Sequence, residues 1–216
     1  MSGPLMIDHK PFTADRYPSG LERDVASIDG PLFQFQLRPI RADDGPRLVE
    51  FHDHLSDRSC YLRFFSLHPH LTPKEVERFT HLDYQDRLAL VAVLNDRLIG
   101  VGRYDRRPDS DVAEVAFVVA DDYQHRGIAS LLLDELVGAA RDRHISAFVA
   151  ETLHENRSML DVFFHSGFEV ESHYEYGEVS LSFSIEPTPR YEEARAARRQ
   201  RWHVDPHEEG MSGATP

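Results

Sequence analysis

The residues best suited to chemistry stand close together. Glu114 interrupts the apolar run Val112-Ala113-Glu114-Val115-Ala116-Phe117-Val118-Val119, and Gln124-His125-Arg126-Gly127-Ile128-Ala129-Ser130 follows it. A carboxylate in an apolar strand is costly to bury unless it is paired or functional. Apolar neighbours would raise its pKa towards the range where a base can take a proton at neutral pH. Strand alternation puts Glu114, Ala116 and Val118 on one face. The plainer role is a structural ion pair, for instance with Arg103 on the neighbouring run.

The segment from Gln124 to Ser130 suits an anion. A helix starting near Ile128 presents unpaired backbone N–H groups and the positive end of its dipole. Gly127 lets a ligand approach the backbone because it has no side chain; Ala129 is small, and Arg126 can add charge. The loop lacks the Gly-Lys-Ser/Thr of a nucleotide P-loop and the three spaced glycines of a dinucleotide turn. An unliganded strand-to-helix turn fits the same residues.

Other reactive residue types have ordinary readings. Cys60 sits in Arg58-Ser59-Cys60-Tyr61-Leu62 with no partner pattern and reads as a packed thiol. His52/His54 and His68/His70 are spaced i,i+2, which does not share a helix face, so they read as surface histidines and no metal is expected. Asn156-Arg157-Ser158 matches a glycosylation sequon, which has no meaning in the cytosol.

Positioning these residues falls to a mixed set of elements. Alternation over 33–37 predicts a half-buried strand, with Asp43 as the N-cap of a helix reaching about Leu55. Further helices are expected over 60–65 and from Thr72-Pro73, where Glu75 completes a capping box. Strands over 88–94, 98–104 and 112–119 precede a helix over 128–143, a strand over 146–153 and a helix over 156–165. Paired strands around 168–175 and 178–185 close the series. The order implies an α+β fold on one central mixed sheet. Residues 1–30 read as an N-terminal extension, 31–186 as the domain, and 187–216 as a tail, partly helical over 191–202 or disordered, whose removal from 190 onward is expected to leave the binding function of the domain intact.

Composition narrows the class. With 41% hydrophobic residues in 216, the chain can bury a core. A formal charge of −13 argues against a nucleic-acid binder and favours cationic partners through encounter rate. The single cysteine fits a reducing, cytoplasmic compartment. No signal peptide is seen, and no run approaches the ~18 apolar residues of a membrane span.

Gln124-x-x-Gly127-x-Ala129 between a strand and a helix resembles the pyrophosphate loop of the GNAT acetyltransferases, usually Gln/Arg-x-x-Gly-x-Gly/Ala. Asn156 with Gly167-Phe168 is similar to the later part of that pattern. The resemblance implies acetyl-CoA as co-substrate, with the backbone amides of His125, Arg126, Gly127, Ile128, Ala129 and Ser130 on its pyrophosphate. It also implies that Phe117, Val118 and Val119 pair with the pantetheine arm and that the Val118 amide polarises the thioester carbonyl. A mostly antiparallel sheet flanked by helices is implied, with a bulge in the 112–119 strand that splays it from the 146–153 strand into a V-shaped cleft. Glu114 becomes the match for the catalytic glutamate, taking a proton from an attacking amine. Many GNAT enzymes place a tyrosine general acid where this chain has Phe163, which leaves Tyr123, Tyr174, Tyr176 or water for that role.

A narrower resemblance rests on Tyr17-Pro18, Leu21-Glu22-Arg23, Asp29-Gly30, Leu37-Arg38-Pro39-Ile40, Ser59-Cys60-Tyr61-Leu62-Arg63-Phe64-Phe65, Asp83-Tyr84 and Ala113-Glu114-Val115-Ala116-Phe117. Together they resemble, over about 17–186, the GNAT domain of bacterial Pat-type protein lysine acetyltransferases and of GNAT modules fused to NDP-forming acyl-CoA synthetases. The implied acceptor is a lysine of a protein such as an AMP-forming acyl-CoA synthetase. Relatives of this type often carry a cyclic-nucleotide-binding or synthetase domain, for which 216 residues leave no room. Alternatives are a small-molecule amine acetyltransferase and a non-catalytic acyl-CoA-binding module; Glu114 counts against the second.

Overall fold

Alternate residues of the 112–119 run meet two different surroundings. In the computed structural model, which describes residues 17–28, 33–66 and 70–207, Ala113, Val115, Phe117 and Val119 are buried while Glu114 is exposed. Its apolar sequence neighbours point to the opposite face, so Glu114 stands in water and not in the apolar setting its neighbours suggest.

That run is β5 (Val112–Val119) of a nine-stranded sheet. The other strands are β1 (Arg23–Ser27), β2 (Gln34–Pro39), β3 (Arg87–Leu94), β4 (Arg97–Arg106), β6 (Ala147–Leu153), β7 (Glu171–Glu175), β8 (Glu178–Ser184) and β9 (Trp202–Pro206). Their order is β7-β8-β6-β5-β4-β3-β2-β1-β9. Only β5 and β6 run parallel; the other neighbours are antiparallel. This is the α+β fold expected, with the expected cleft between β5 and β6.

The cleft opens by loss of pairing. β5 meets β6 only at Val112–Glu114 against Ala147–Val149. Beyond that point β5 stays with β4 through Val119, and β6 stays with β8 through Leu153. The implied bulge in β5 is absent: β4 and β5 pair in unbroken register, and the register shift falls instead at Ala92/Val93. Each strand follows its outer partner, and that suffices to part them.

Helices cover both faces. α4 (Ile128–Arg141) and α5 (Arg157–Phe164) pack on the Phe117 face, joined by α6 (Pro189–Arg199). Gly102 makes a seat for α4, since a Cβ there would lie 2.8 Å from the Phe117 ring and 3.2 Å from Leu132 Cβ. α1 (Gly45–Asp53), α2 (Asp57–Phe64) and α3 (Pro73–Thr80) cover the Val118 face. The capping box at α3 forms as expected, with Glu75 Oε2 accepting from the Thr72 N–H at 2.8 Å. α2 starts earlier than expected because Ser56 Oγ caps the Ser59 N–H at 3.2 Å. Asp44, not Asp43, organises the start of α1: it accepts the Arg41 N–H at 2.8 Å and a two-pronged pair from buried Arg38 at 2.6 and 2.8 Å.

The packed body runs past both boundaries read from composition. Residues 23–27 of the first segment form β1, and residues 189–206 of the last supply α6 and β9, which pairs with β1. Tyr191 stacks on Phe168 at 4.2 Å, and Trp202 is 7% exposed. Residues 189–206 therefore pack into the body where composition read a tail. Their anchors are two aromatic residues in an Arg/Glu-rich stretch, too sparse for a periodic signal. No described helix is long and apolar enough to cross a membrane. Asp29, Gly30 and His68 lie outside the described residues.

Candidate active site

The divergence of β5 and β6 leaves a cleft of about 630 Å³. Phe117, Val118 and Val119 line one wall, and their edge towards β6 carries no ladder partner. Gln124, His125, Gly127, Ile128, Ala129 and Ser130 line its end, and Asn156 lines the opposite wall. Arg126 is the exception among the expected binding residues. Its guanidinium lies outside the cleft lining, over the rings of Phe33 at 5.3 Å and Tyr123 at 5.5 Å.

The loop has an anion-binding shape. His125 and Gly127 take left-handed φ angles of 60° and 87°, which turn successive N–H groups the same way. The first intrahelical bond of α4 runs from the Leu131 N–H to the Gly127 carbonyl at 3.0 Å. The amides of Ile128, Ala129 and Ser130 are thus left for a ligand. No side chain caps this helix and its first turn holds no acid, so its dipole is uncompensated.

Long-range bonds hold the loop in place. Gln124 Nε2 donates to the Val119 carbonyl and to Ser59 Oγ, both at 3.0 Å. Asp121 accepts from the Ser56 N–H at 2.9 Å, Ser56 Oγ at 2.6 Å and Ser59 Oγ at 2.8 Å. Burial alone would raise the Asp121 carboxyl, but these bonds outweigh it and hold it below the usual range. From behind, Phe33 stacks on Tyr123 at 5.7 Å, and Trp202 lies against Gly127. Neither the Ser56/Ser59/Asp121 clamp nor the Trp202 buttress was legible, because the partners are far apart in sequence.

Glu114 lies beyond the cleft along β5, in a neighbouring groove of about 380 Å³ that also holds Arg107, Glu151, Glu171 and His173. The alternative ion pair is not formed. Arg103 Nε lies 3.5 Å from Asp105, and Glu114 has no cation within 4.0 Å among the described residues.

The remaining candidates separate cleanly. Asn156 Oδ1 caps α5, accepting the Met159 N–H at 3.2 Å. Phe163 is buried between Phe117 at 6.0 Å and Phe183 at 5.8 Å, a core position with no acid to offer. Of the tyrosines, Tyr123 lines the cleft, while Tyr174 and Tyr176 stand exposed on the β7–β8 hairpin. Cys60 is buried; that burial, then Asp57, Asp121 and Asp53, push its thiol up. His54 and His70 are exposed, as expected. His52 is not a surface residue: it is 3% exposed with its ring 5.5 Å from Phe64. It stands on the inner face of α1, which i,i+2 spacing could not reveal. Among the described residues no three His, Cys, Asp or Glu gather as metal ligands would.

The sequence pattern of the acetyltransferase (GNAT) family matches residues 52–168. The crystal structure of the GNAT domain of PAT from S. lividans is 42% identical, with a TM-score of 0.72 over 78% of this chain and 99% of that one. An acetyltransferase of Pseudomonas aeruginosa is 29% identical over 136 residues, covering 61% of this chain and 73% of the relative. The acetyltransferase Pat of Mycolicibacterium smegmatis is 32% identical over 133 residues, covering 59% of this chain and 39% of Pat. The chain thus spans well under half the length of that relative.

Proposed function

The chain belongs to the acetyltransferase (GNAT) family, and on that premise we propose that it transfers an acetyl group from acetyl-CoA to a lysine side chain of a protein, with Glu114 as the base. The observation that carries this reading is the parting of β5 from β6. It leaves unladdered backbone and a bare helix N-terminus at one end of β5, while the exposed Glu114 stands at the last paired position, where the strands begin to part.

Under this reading the donor spans the cleft. The amides from His125 to Ser130 take the pyrophosphate, and Phe117 to Val119 pair with the pantetheine arm. The Val118 N–H turns towards β4, opposite Val101 in the register that carries the Ala120 N–H to the Ile99 carbonyl, so the Phe117 and Val119 N–H groups on the open edge are the backbone donors available to the thioester oxygen, where negative charge develops. Asn156 acts through α5, since its Oδ1 is already used as a cap. A lysine amine has an ordinary pKa near 10.4, so roughly one in a thousand is neutral at pH 7.4. Glu114, directly or through water, takes the proton as nitrogen attacks the carbonyl carbon and the C–S bond breaks.

The similarity to PAT and Pat supports a protein acceptor. Exposed Glu114 and the groove beside it, which includes Glu151 and Glu171, suit a cationic loop approaching from solvent. We take an AMP-forming acyl-CoA synthetase as that acceptor, inactivated when its catalytic lysine loses its charge. A cytoplasmic setting goes with that pair of substrates. The test mixes the purified protein and acetyl-CoA with a same-host acetyl-CoA synthetase and its Lys→Arg variant. Acetylation at that one lysine with loss of synthetase activity is expected. Efficient turnover of a polyamine or amino acid, with no synthetase modified, would move the acceptor to small amines.

A further inference from the structure

Arg63, near the C-terminal end of α2, is a cation with no anion in contact among the described residues. Its guanidinium makes no hydrogen bond or ion pair among the described residues; its neighbour is the Phe64 ring, at 5.3 Å. By contrast Arg58, on the same helix, reaches Glu155 across the cleft at 3.7 Å. Arg63 lines the donor cleft beside Leu62, Phe117 and Val118. It also lines a small apolar pocket of about 50 Å³ on the same face, shared with Phe79, Ala116 and Arg103. Burial and then Arg103 lower its pKa to about 9, while Glu114 and Asp105 pull the other way. At neutral pH it remains charged.

A half-buried guanidinium beside apolar side chains and a second arginine, with no counter-ion in contact among the described residues, is unfavourable. What binds in the cleft must supply the missing charge. In the reading proposed for the site, the donor's phosphates lie at the start of α4, its pantetheine arm is neutral, and the acceptor amine is cationic or neutral. Near Val118 an anion arises only during transfer.

We propose that Arg63 stabilises the negative charge that gathers on the thioester sulfur as the acyl–sulfur bond breaks, doing by electrostatics what a tyrosine would do by proton donation where this chain has Phe163. The inference rests on the GNAT reading of the cleft and deepens it. The amine nitrogen bonds to the carbonyl carbon and its proton passes to Glu114. The C–S bond breaks with its electron pair on sulfur, and CoA leaves as the thiolate beside Arg63, to be protonated by solvent after release. Arg63 itself gives up no proton. A fixed cation with no partner in the resting site favours the transition state over the ground state, the condition for raising turnover.

The test titrates the thiol of CoA bound to the wild type, Arg63→Gln and Arg63→Lys, by thiolate ultraviolet absorbance. No acceptor is needed. A cation at close range lowers an acid's pKa by about one to three units. The wild type should show that drop relative to free CoA, Arg63→Gln should abolish it, and Arg63→Lys should restore part of it. With acetyl-CoA and the acceptor, Arg63→Gln should lower kcat by roughly 10²–10³-fold, while calorimetry gives unchanged affinity for acetyl-CoA, which has no thiol to titrate. A wild-type bound thiol that titrates like free CoA overturns the proposal. So does an Arg63→Gln variant that transfers acetyl normally but no longer uses a carboxylate-bearing donor such as succinyl-CoA, since the anion would then belong to the donor. A wild type that binds no CoA would refute the reading of the cleft itself.

Discussion

Glu114 and Gly127 stand towards opposite ends of β5, and the roles proposed for them can be tested independently. Glu114 is exposed and unpaired, so Glu114→Gln should leave the fold and acetyl-CoA affinity unchanged. It should lower kcat by about 10²–10⁴-fold, the usual worth of a general base. The deficit should shrink at high pH, where lysine loses its proton unaided; unchanged turnover at pH 7 would make Glu114 structural. Gly127 holds a φ of 87°, which a valine adopts only at a cost of about 1–3 kcal/mol. Gly127→Val should therefore fold, yet bind acetyl-CoA much more weakly by calorimetry. A folded variant with wild-type affinity would remove the loop from the site. At this scale, Glu114 and the Gln124–Ala129 loop could be picked out in sequence because each breaks a local pattern. Arg63, Asp121 and His52 could not, because their significance lies in what stands across from them after folding.

The elements were legible in proportion to their periodicity. β3 to β6, α4 and α5 carry long apolar runs or helical stripes, and most fell within a residue or two of their expected ends. β1 and β9 did not, being five residues each with little buried apolar surface. Their role is nonetheless structural, because α6 and β9 hold the back of the Gly127 loop. Arg198 pairs with buried Asp134 at 2.6 and 3.1 Å, and Arg199 with Glu135 at 2.6 Å. Trp202→Ala should cost about 3–5 kcal/mol, as for other buried aromatics, out of a typical total of about 5–15. Chain lacking residues 190–216 should lose more, melting early or failing to fold. A denaturation midpoint matching the full chain would show that the segment adds nothing to stability.

For the whole molecule, the net charge of −13 is not spread evenly in its consequences. Glu114, Glu151, Glu171, Glu175 and Glu178 lie on the β5–β6–β8–β7 region and are exposed. If the acceptor is a lysine on a basic protein surface, salt should act on encounter and not on chemistry. Raising the ionic strength should lower kcat/KM for a synthetase acceptor several-fold with kcat little changed. A small uncharged amine should show no such slope. Equal salt sensitivity for both would argue against electrostatic steering by this region.

The pairing of β1 with β9 sets Arg23 opposite Pro206 and Ser27 opposite Trp202, and so gives the molecule a timetable. During synthesis β1 can pair with β2 early, but its other edge stays bare until β9, far along the chain, has been made. Contacts between such distant segments bring their reward only after the entropy of closing the intervening chain has been spent, and they are slow to form. A ribosome paused short of Trp202 would hold a sheet with an open edge and a Gly127 loop with no indole behind it. The shape of the Gly127 loop is thus completed only after β9 has docked.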